Sequence, residues 1–178
     1  MPFLSTNSSE AEELEFVKLD ARDLTSFDCR VDGKDEQGLQ EFIQTQARDY
    51  QERDLGVSYL VLIKGEVAAF VTVAMTSIAL EKMEEGEKVA GAPFENYPAL
   101  LLGRLAVDKR FRRRKIGSKV CSWCLGLARD LSGRVGCRYV VLHARDAVVP
   151  FYASNFFVLS EPEKDKPTKL LYRKVAEK

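Results

Sequence analysis

Gly103 to Ser118, GRLAVDKRFRRRKIGS, constrains the fold more than any other stretch of the chain. An apolar run, Leu100 to Val107, reads as a strand. Asp108 ends it, and six basic residues gather around Phe111. Gly117 and Ser118 then open an amphipathic helix. Strand, basic loop and helix N-terminus in that order build an anion site, because the first N–H groups of a helix lack internal partners and carry the positive end of the macrodipole. A phosphate fits there if the loop is small enough to approach closely, and Gly117 allows that. The lack of a Gly-Lys-Ser/Thr run excludes a P-loop.

At 178 residues the chain supports one well-buried domain, 1–178, with 1–12 read as a loose polar tail. Its 27 basic and 27 acidic side chains cancel, so no global attraction to nucleic acid or an anionic membrane is expected; only a local basic patch remains. The N-terminal stretch has neither a basic n-region nor an apolar h-region. No apolar run nears the roughly 20 residues a membrane helix needs, and a cytoplasmic protein without a membrane partner is expected. The four cysteines fit free thiols. Cys121 and Cys124 have C-x-x-C spacing but lie within a helical pattern, and no second ligand pair stands at metal spacing. They read as small residues on a buried helix face, with no metal expected.

Periodicity supplies the remaining elements. Leu14 to Leu19 alternates as a half-buried strand. Leu24 to Cys29 (LTSFDC) and Arg30 to Glu36 form an irregular connection. From Leu39 the period lengthens: Leu39, Phe42, Ile43, Ala47 and Tyr50 make one face of a helix ending near Gly56. Val57 to Ile63 and Val67 to Leu80 are β-rich, and Lys64-Gly65-Glu66 between them is a hairpin signal. Glu81 to Tyr97 has no period and reads as a long surface loop. Beyond the basic loop, Ile116, Val120, Cys124, Leu127, Ala128 and Leu131 form an apolar helix face that stops near Ser132-Gly133. Arg138 to Ala144 reads as a buried strand, and Asp146 as the cap of a short helix with Pro150 in its first turn. Phe156 to Leu159 and Lys169 to Val175 read as closing strands on either side of EPEKDKP. The order β, α, β, β, β, α, β, α, β, β describes an α/β domain with a mixed sheet and helices on both faces.

LGRLAVDKRFRRRKIGSKV, with VVLHARDAVVPFYASNFF downstream of it, resembles the acetyl-CoA-binding core of the GNAT superfamily of N-acetyltransferases. The resemblance covers about Leu100 to Leu159. It implies a single GNAT-like α/β domain with a mixed, mostly antiparallel sheet. It also implies acetyl-CoA as cosubstrate and acetyl transfer to a primary amine by direct attack in a ternary complex. The family's pyrophosphate motif, Arg/Gln-x-x-Gly-x-Gly/Ala, falls on Arg112, Lys115 and Gly117, with lysine replacing the first glycine. Lys115 must then adopt a conformation that glycine finds easier, or the loop must shift. By the same resemblance, Arg112, Arg113, Arg114, Lys115, Ile116, Gly117 and Ser118 are implied at the phosphates. The backbone of Leu105, Ala106 and Val107 is implied along the pantetheine, pairing with it as a further strand would. Tyr152 falls where the family's tyrosine protonates the departing thiolate; a phenol titrating near 10 keeps its proton at neutral pH. The family usually ends this helix with a glycine before a phenylalanine, whereas here Phe156 precedes Phe157. Asn155 either caps the helix or contacts CoA. The competing assignments are a solvated basic loop or nucleic-acid patch for KRFRRRK and a packing aromatic for Tyr152.

Amine attack also needs a base. Glu95, on the approach to the central strand, and His143, on the Arg138 to Ala144 strand, are the candidates. A lone histidine in an apolar run is also commonly structural. No cysteine has a base beside it in sequence, so a covalent cysteine route is not expected. LTSFDC, the LQEFIQTQA helix, the hairpin and LGRLAVD are further similar to the toxin acetyltransferases of bacterial toxin–antitoxin pairs. Those enzymes acetylate the α-amino group of aminoacyl-tRNA. Zero net charge and the acidic Glu81 to Glu87 loop weigh against a broad tRNA-binding face. A small-molecule amine or a protein amino group therefore ranks first as acceptor, tRNA second, and a non-catalytic acyl-CoA-binding protein third. No pattern fixes the oligomeric state, and a homodimer stays open.

Overall fold

The computed structural model describes residues 13–160 and 166–175. The expected N-terminal tail and most of the EPEKDKP turn lie outside them. The strands are β1 (Glu15–Lys18), β2 (Val57–Ile63), β3 (Glu66–Ala79), β4 (Asn96–Val107), β5 (Tyr139–Ala144), β6 (Val158–Leu159) and β7 (Lys169–Lys174). They form one sheet in the order β1-β2-β3-β4-β5-β7-β6. β4 and β5 run parallel, and the other pairings are antiparallel. Between β2 and β3 both loop residues have positive φ, Lys64 at 50° and Gly65 at 81°. A two-residue hairpin that matches strand twist requires that geometry.

Helix α1 (39–52) covers one face of the sheet. It buries Phe42, Ile43 and Ala47 against Leu60, Phe70 and Ala106. It contains a π-helical turn at Phe42–Gln46, and the extra residue in such a turn brings Phe42 and Tyr50 onto one line of the surface. Their rings meet edge to face at 5.2 Å. Helix α2 (Ile116–Ser132) covers the other face, setting Ile116, Val120, Cys121, Cys124 and Ala128 against Leu100, Leu102, Val140 and Leu142. Each fully buried aliphatic or aromatic side chain contributes about 1.5–3 kcal/mol. Among the described residues, no helix is long and apolar enough to cross a membrane.

Three elements differ from the sequence expectation. β4 starts at Asn96, because β3 is long enough to pair its whole length, from Ala79 opposite Asn96 to Ala69 opposite Val107. The surface loop is correspondingly shorter and carries turns at Leu80–Lys82 and Glu85–Glu87. Asp146 does not cap helix α3 (Val149–Ser154): it opens a 3₁₀ turn, Asp146–Val148, and Val148 occupies the cap without a side-chain bond. Phe156 is not in β6. It takes φ 64° as the αL residue that ends α3, where glycine is the usual choice. Phe157 N–H bonds Tyr152 O and Phe156 N–H bonds Ala153 O, so the glycine-type helix end persists with phenylalanine in it.

Candidate active site

Two features of β4 create the site. At Gly103 the ladder with β3 slips by one residue, with Arg104 opposite Thr72 and Leu102 opposite Val73. A bulge of this kind inverts side-chain alternation. Leu100 and Leu102 before it, and Leu105 and Val107 after it, therefore all pack on the α2 face, while Arg104 lies over Phe42 of α1. The second feature is a split: β4 pairs with β5 only from Ala99 to Leu101 and Tyr139 to Val141. Beyond Leu101 the strands diverge, and a cavity of about 520 Å³ opens between them.

Residues 102–107 form one wall of this cavity and His143, Ala144 and Arg145 the other. Arg112, Arg113, Lys115, Ile116, Gly117 and Ser118 line it at the α2 N-terminus, Phe151 and Tyr152 from α3, and Gln37 and Leu39 from the start of α1. Lys119 is the first residue to bond four back, to Lys115 O, so the N–H groups of Ile116, Gly117 and Ser118 precede the helical ladder. Lys115 adopts φ 57°, ψ 19°: it takes the left-handed conformation in place of glycine. Arg113 does likewise at φ 62°. Gly117 has a packing reason for its size. A Cβ there would stand 2.9 Å from the Phe151 ring, so glycine lets α3 close onto the first turn of α2.

The basic run divides by role. Lys109 pairs with Asp28 at 2.7 Å, and Arg110 with Asp108 at 3.0 Å and Glu66 at 3.0 Å. Arg112 donates to the carbonyls of Cys29 and Arg30, tying the FDC segment to the loop. Asp108 is fully buried and accepts from Asp28 N–H and from Arg110 N–H, Nε and NH2. Burial alone would raise its carboxyl, but these donors hold it below the usual range. The guanidinium of Arg114 lies 5.1 Å from the Phe111 ring and does not line the cavity.

Tyr152 is partly buried, edge-on to Phe151 at 4.9 Å and to Phe157 at 5.8 Å. Burial pushes its phenol well above the usual value, and the nearby Cys121 and Cys124 thiols add to that shift. Burial also pushes Cys121 up to about 12 and Cys124 further in the same direction. His143 is exposed and faces the cavity, because it lies on β5 past the point of divergence. The other two predicted residues sit elsewhere. Asn155 caps α3, its Nδ2 donating to Phe151 O at 2.8 Å, and it does not line the cavity. Glu95 lies just before the far end of β4; seven residue steps along the chain, about 23 Å, separate it from Leu102. That is far outside hydrogen-bond reach of the cavity. Arg104 lines the cavity and was not anticipated, since it is visible only once the Gly103 bulge turns it toward α1.

The model of the acetyltransferase (GNAT) family matches residues 21–156, and the chain belongs to that family. It is an acetyl-CoA-dependent N-acetyltransferase. The tRNA-acetylating toxin of Mycobacterium tuberculosis (strain ATCC 25618 / H37Rv) is 26% identical over 142 residues, 79% of this chain and 81% of the relative. Among solved structures, AtaT complexed with acetyl-methionyl-tRNAfMet superposes with TM-score 0.77 at 20% identity, covering 91% of this chain and 95% of that one. AtaTR bound with AcCoA gives 0.72 at 22% identity, covering 91% and 94%. These structural likenesses establish the fold.

Proposed function

We propose that this enzyme transfers the acetyl group of acetyl-CoA to the α-amino group of an aminoacyl-tRNA. The divergence of β4 and β5 beyond Leu101 and Val141 carries the acetyl-transfer part. Among the described residues it leaves the backbone of 102–107 without a strand partner on the cavity side, next to three helix-start N–H groups and the cations of Arg113 and Lys115. A long, amide-bearing chain ending in a pyrophosphate matches that series of donors and acceptors. Acetyl-CoA supplies an acetyl thioester whose leaving group is a thiolate. Tyr152, held protonated by burial, is the general acid for that sulfur. His143, at the exposed mouth, is the group placed to take the proton of the amine. Leu105, Ala106 and Val107 hold the pantetheine, and Ile116, Gly117 and Ser118 the pyrophosphate.

The acceptor assignment is supported by the named activity of the curated relative and by how charge is distributed. The acidic segment 81–87 packs at the far end of β4, where Glu84 N–H bonds Tyr172 and Glu87 accepts from Tyr139. The exposed run 112–115 stands at the cavity end. The exposed basic run and the acidic segment 81–87 thus stand at opposite ends of β4, a local pattern that zero net charge does not reveal. Incubation with acetyl-CoA and charged tRNA, followed by nuclease digestion and mass spectrometry, is expected to release N-acetyl-aminoacyl-adenosine. Acetylation of a small-amine panel without any of charged tRNA would return the acceptor to a small molecule or a protein amine.

A further inference from the structure

Arg104 differs from most other cations around the site in what holds it. Arg110, Arg30 and Lys109 are paired with carboxylates, and Arg112 and Arg145 donate to backbone carbonyls. Arg104 is held by rings. Its guanidinium carbon lies 3.8 Å from the centroid of Phe42 and 5.2 Å from that of Tyr50. Phe42 is itself 1% exposed and backed by Phe70 at 6.3 Å. The shelf exists because the π-helical turn at Phe42–Gln46 aligns Phe42 with Tyr50 and because the Gly103 bulge turns Arg104 toward α1. A guanidinium stacked on its face keeps its full charge and presents its N–H donors at its edge, in a fixed plane that fits phosphate oxygens. Arg104 lines the cavity on the α1 side of β4, whereas the pyrophosphate donors lie on α2. Its orientation is fixed before any ligand arrives, which removes part of the cost of ordering it on binding.

We infer that Arg104 is an acceptor-binding residue that grips a phosphodiester of the nucleic acid strand bringing the amine, an inference that rests on the aminoacyl-tRNA reading. The test is binding of the full-length protein, saturated with CoA, to a CCA trinucleotide and to adenosine, which has no phosphate. Wild type is expected to bind the trinucleotide more tightly. Arg104→Gln is expected to weaken trinucleotide binding about tenfold and to lower the slope of log Kd against log salt by about 0.7, the signature of one lost single-strand phosphate contact. Arg104→Lys is expected to recover only part of the affinity, since a lysine neither lies flat on Phe42 nor forks. The affinity of both variants for acetyl-CoA should stay within about twofold, which also reports that they fold. Equal binding of trinucleotide and adenosine by wild type, an unchanged salt slope in Arg104→Gln, or loss of acetyl-CoA affinity in place of trinucleotide affinity would each overturn the assignment. Arg104-dependent trinucleotide binding without acetylation of charged tRNA would leave a phosphodiester grip at Arg104 but overturn the aminoacyl-tRNA reading, and with it the role of Arg104 toward the acceptor. Equal acetylation of charged tRNA by wild type and Arg104→Gln would do the reverse.

Discussion

The two ends of β4 run between the same neighbours, β3 and β5, yet one is sealed and the other open. At the sealed end the Tyr139 ring packs against Tyr97 and Tyr172, with centroids 6.1 and 5.9 Å apart. Each hydroxyl is engaged by protein. Tyr139 donates to Glu87 at 2.7 Å, Tyr97 accepts from Val89 N–H at 2.7 Å, and Tyr172 accepts from Glu84 N–H at 3.1 Å. At the open end strand pairing stops, and the helix-start amides, Arg104 and Tyr152 border a cavity. A tyrosine at one end closes a hydrogen-bond account inside the fold. Burial raises the phenols at both ends, but Tyr152 borders the cavity and is available to a ligand. What separates a structural polar group from a chemical one here is where its partner comes from.

The largest expected effect tests that division directly. Tyr152→Phe should lower kcat by about 10²-fold, the usual loss for a general acid, with acetyl-CoA affinity changed by less than about twofold. Tyr139→Phe should leave kcat nearly intact and cost about 1–2 kcal/mol of stability in urea unfolding, because Glu87 loses a partly buried donor. If the two variants lose turnover alike, the division fails.

A smaller effect concerns the hinge between loop and sheet. Asp108→Asn should cost about 2–3 kcal/mol, since the donors of Arg110 and Asp28 would lose their carboxylate. Its carboxyl is held below the unfolded value, so its contribution is present above about pH 4 and is lost as pH falls through the folded value. Melting temperatures between pH 3 and 7 should show this acid loss in wild type and less of it in the variant. Parallel curves would remove Asp108 from that role.

The smallest effect compares two residues in the same strained conformation. Phe156→Gly should stabilise the chain by about 1 kcal/mol, less the stack of Phe156 with Arg173 at 5.2 Å, and leave activity alone. Lys115→Gly should give a similar gain while raising the acetyl-CoA dissociation constant. Unchanged acetyl-CoA binding in Lys115→Gly would assign that lysine to the backbone alone.

Much of this was legible from residue order. The hairpin at Lys64-Gly65, the two amphipathic helices and the strand–basic loop–helix series follow from periodicity and turn chemistry, which are local. Lys115 was visible as the odd residue of its motif, and of the two outcomes open to it, a glycine-like conformation or a shifted loop, it takes the first. The missing parts depend on distant pairings. Glu95 looked close to the site in sequence because nothing in NYPALL signals that β4 begins at Asn96 and carries it away. Arg104 was hidden because the register slip at Gly103 is a property of the β3 ladder. Phe156 followed an apolar pattern that suits a strand, and the helix end claimed it instead.

The split in the sheet has one more consequence. A strand edge with unpaired amides is ordinarily a hazard, because another chain can add to it. Here that edge faces a cavity walled by β5, α3 and the start of α1, which stand where a pairing strand would lie. The enzyme can therefore keep backbone donors and acceptors facing a ligand cavity without presenting them as a strand edge at the surface.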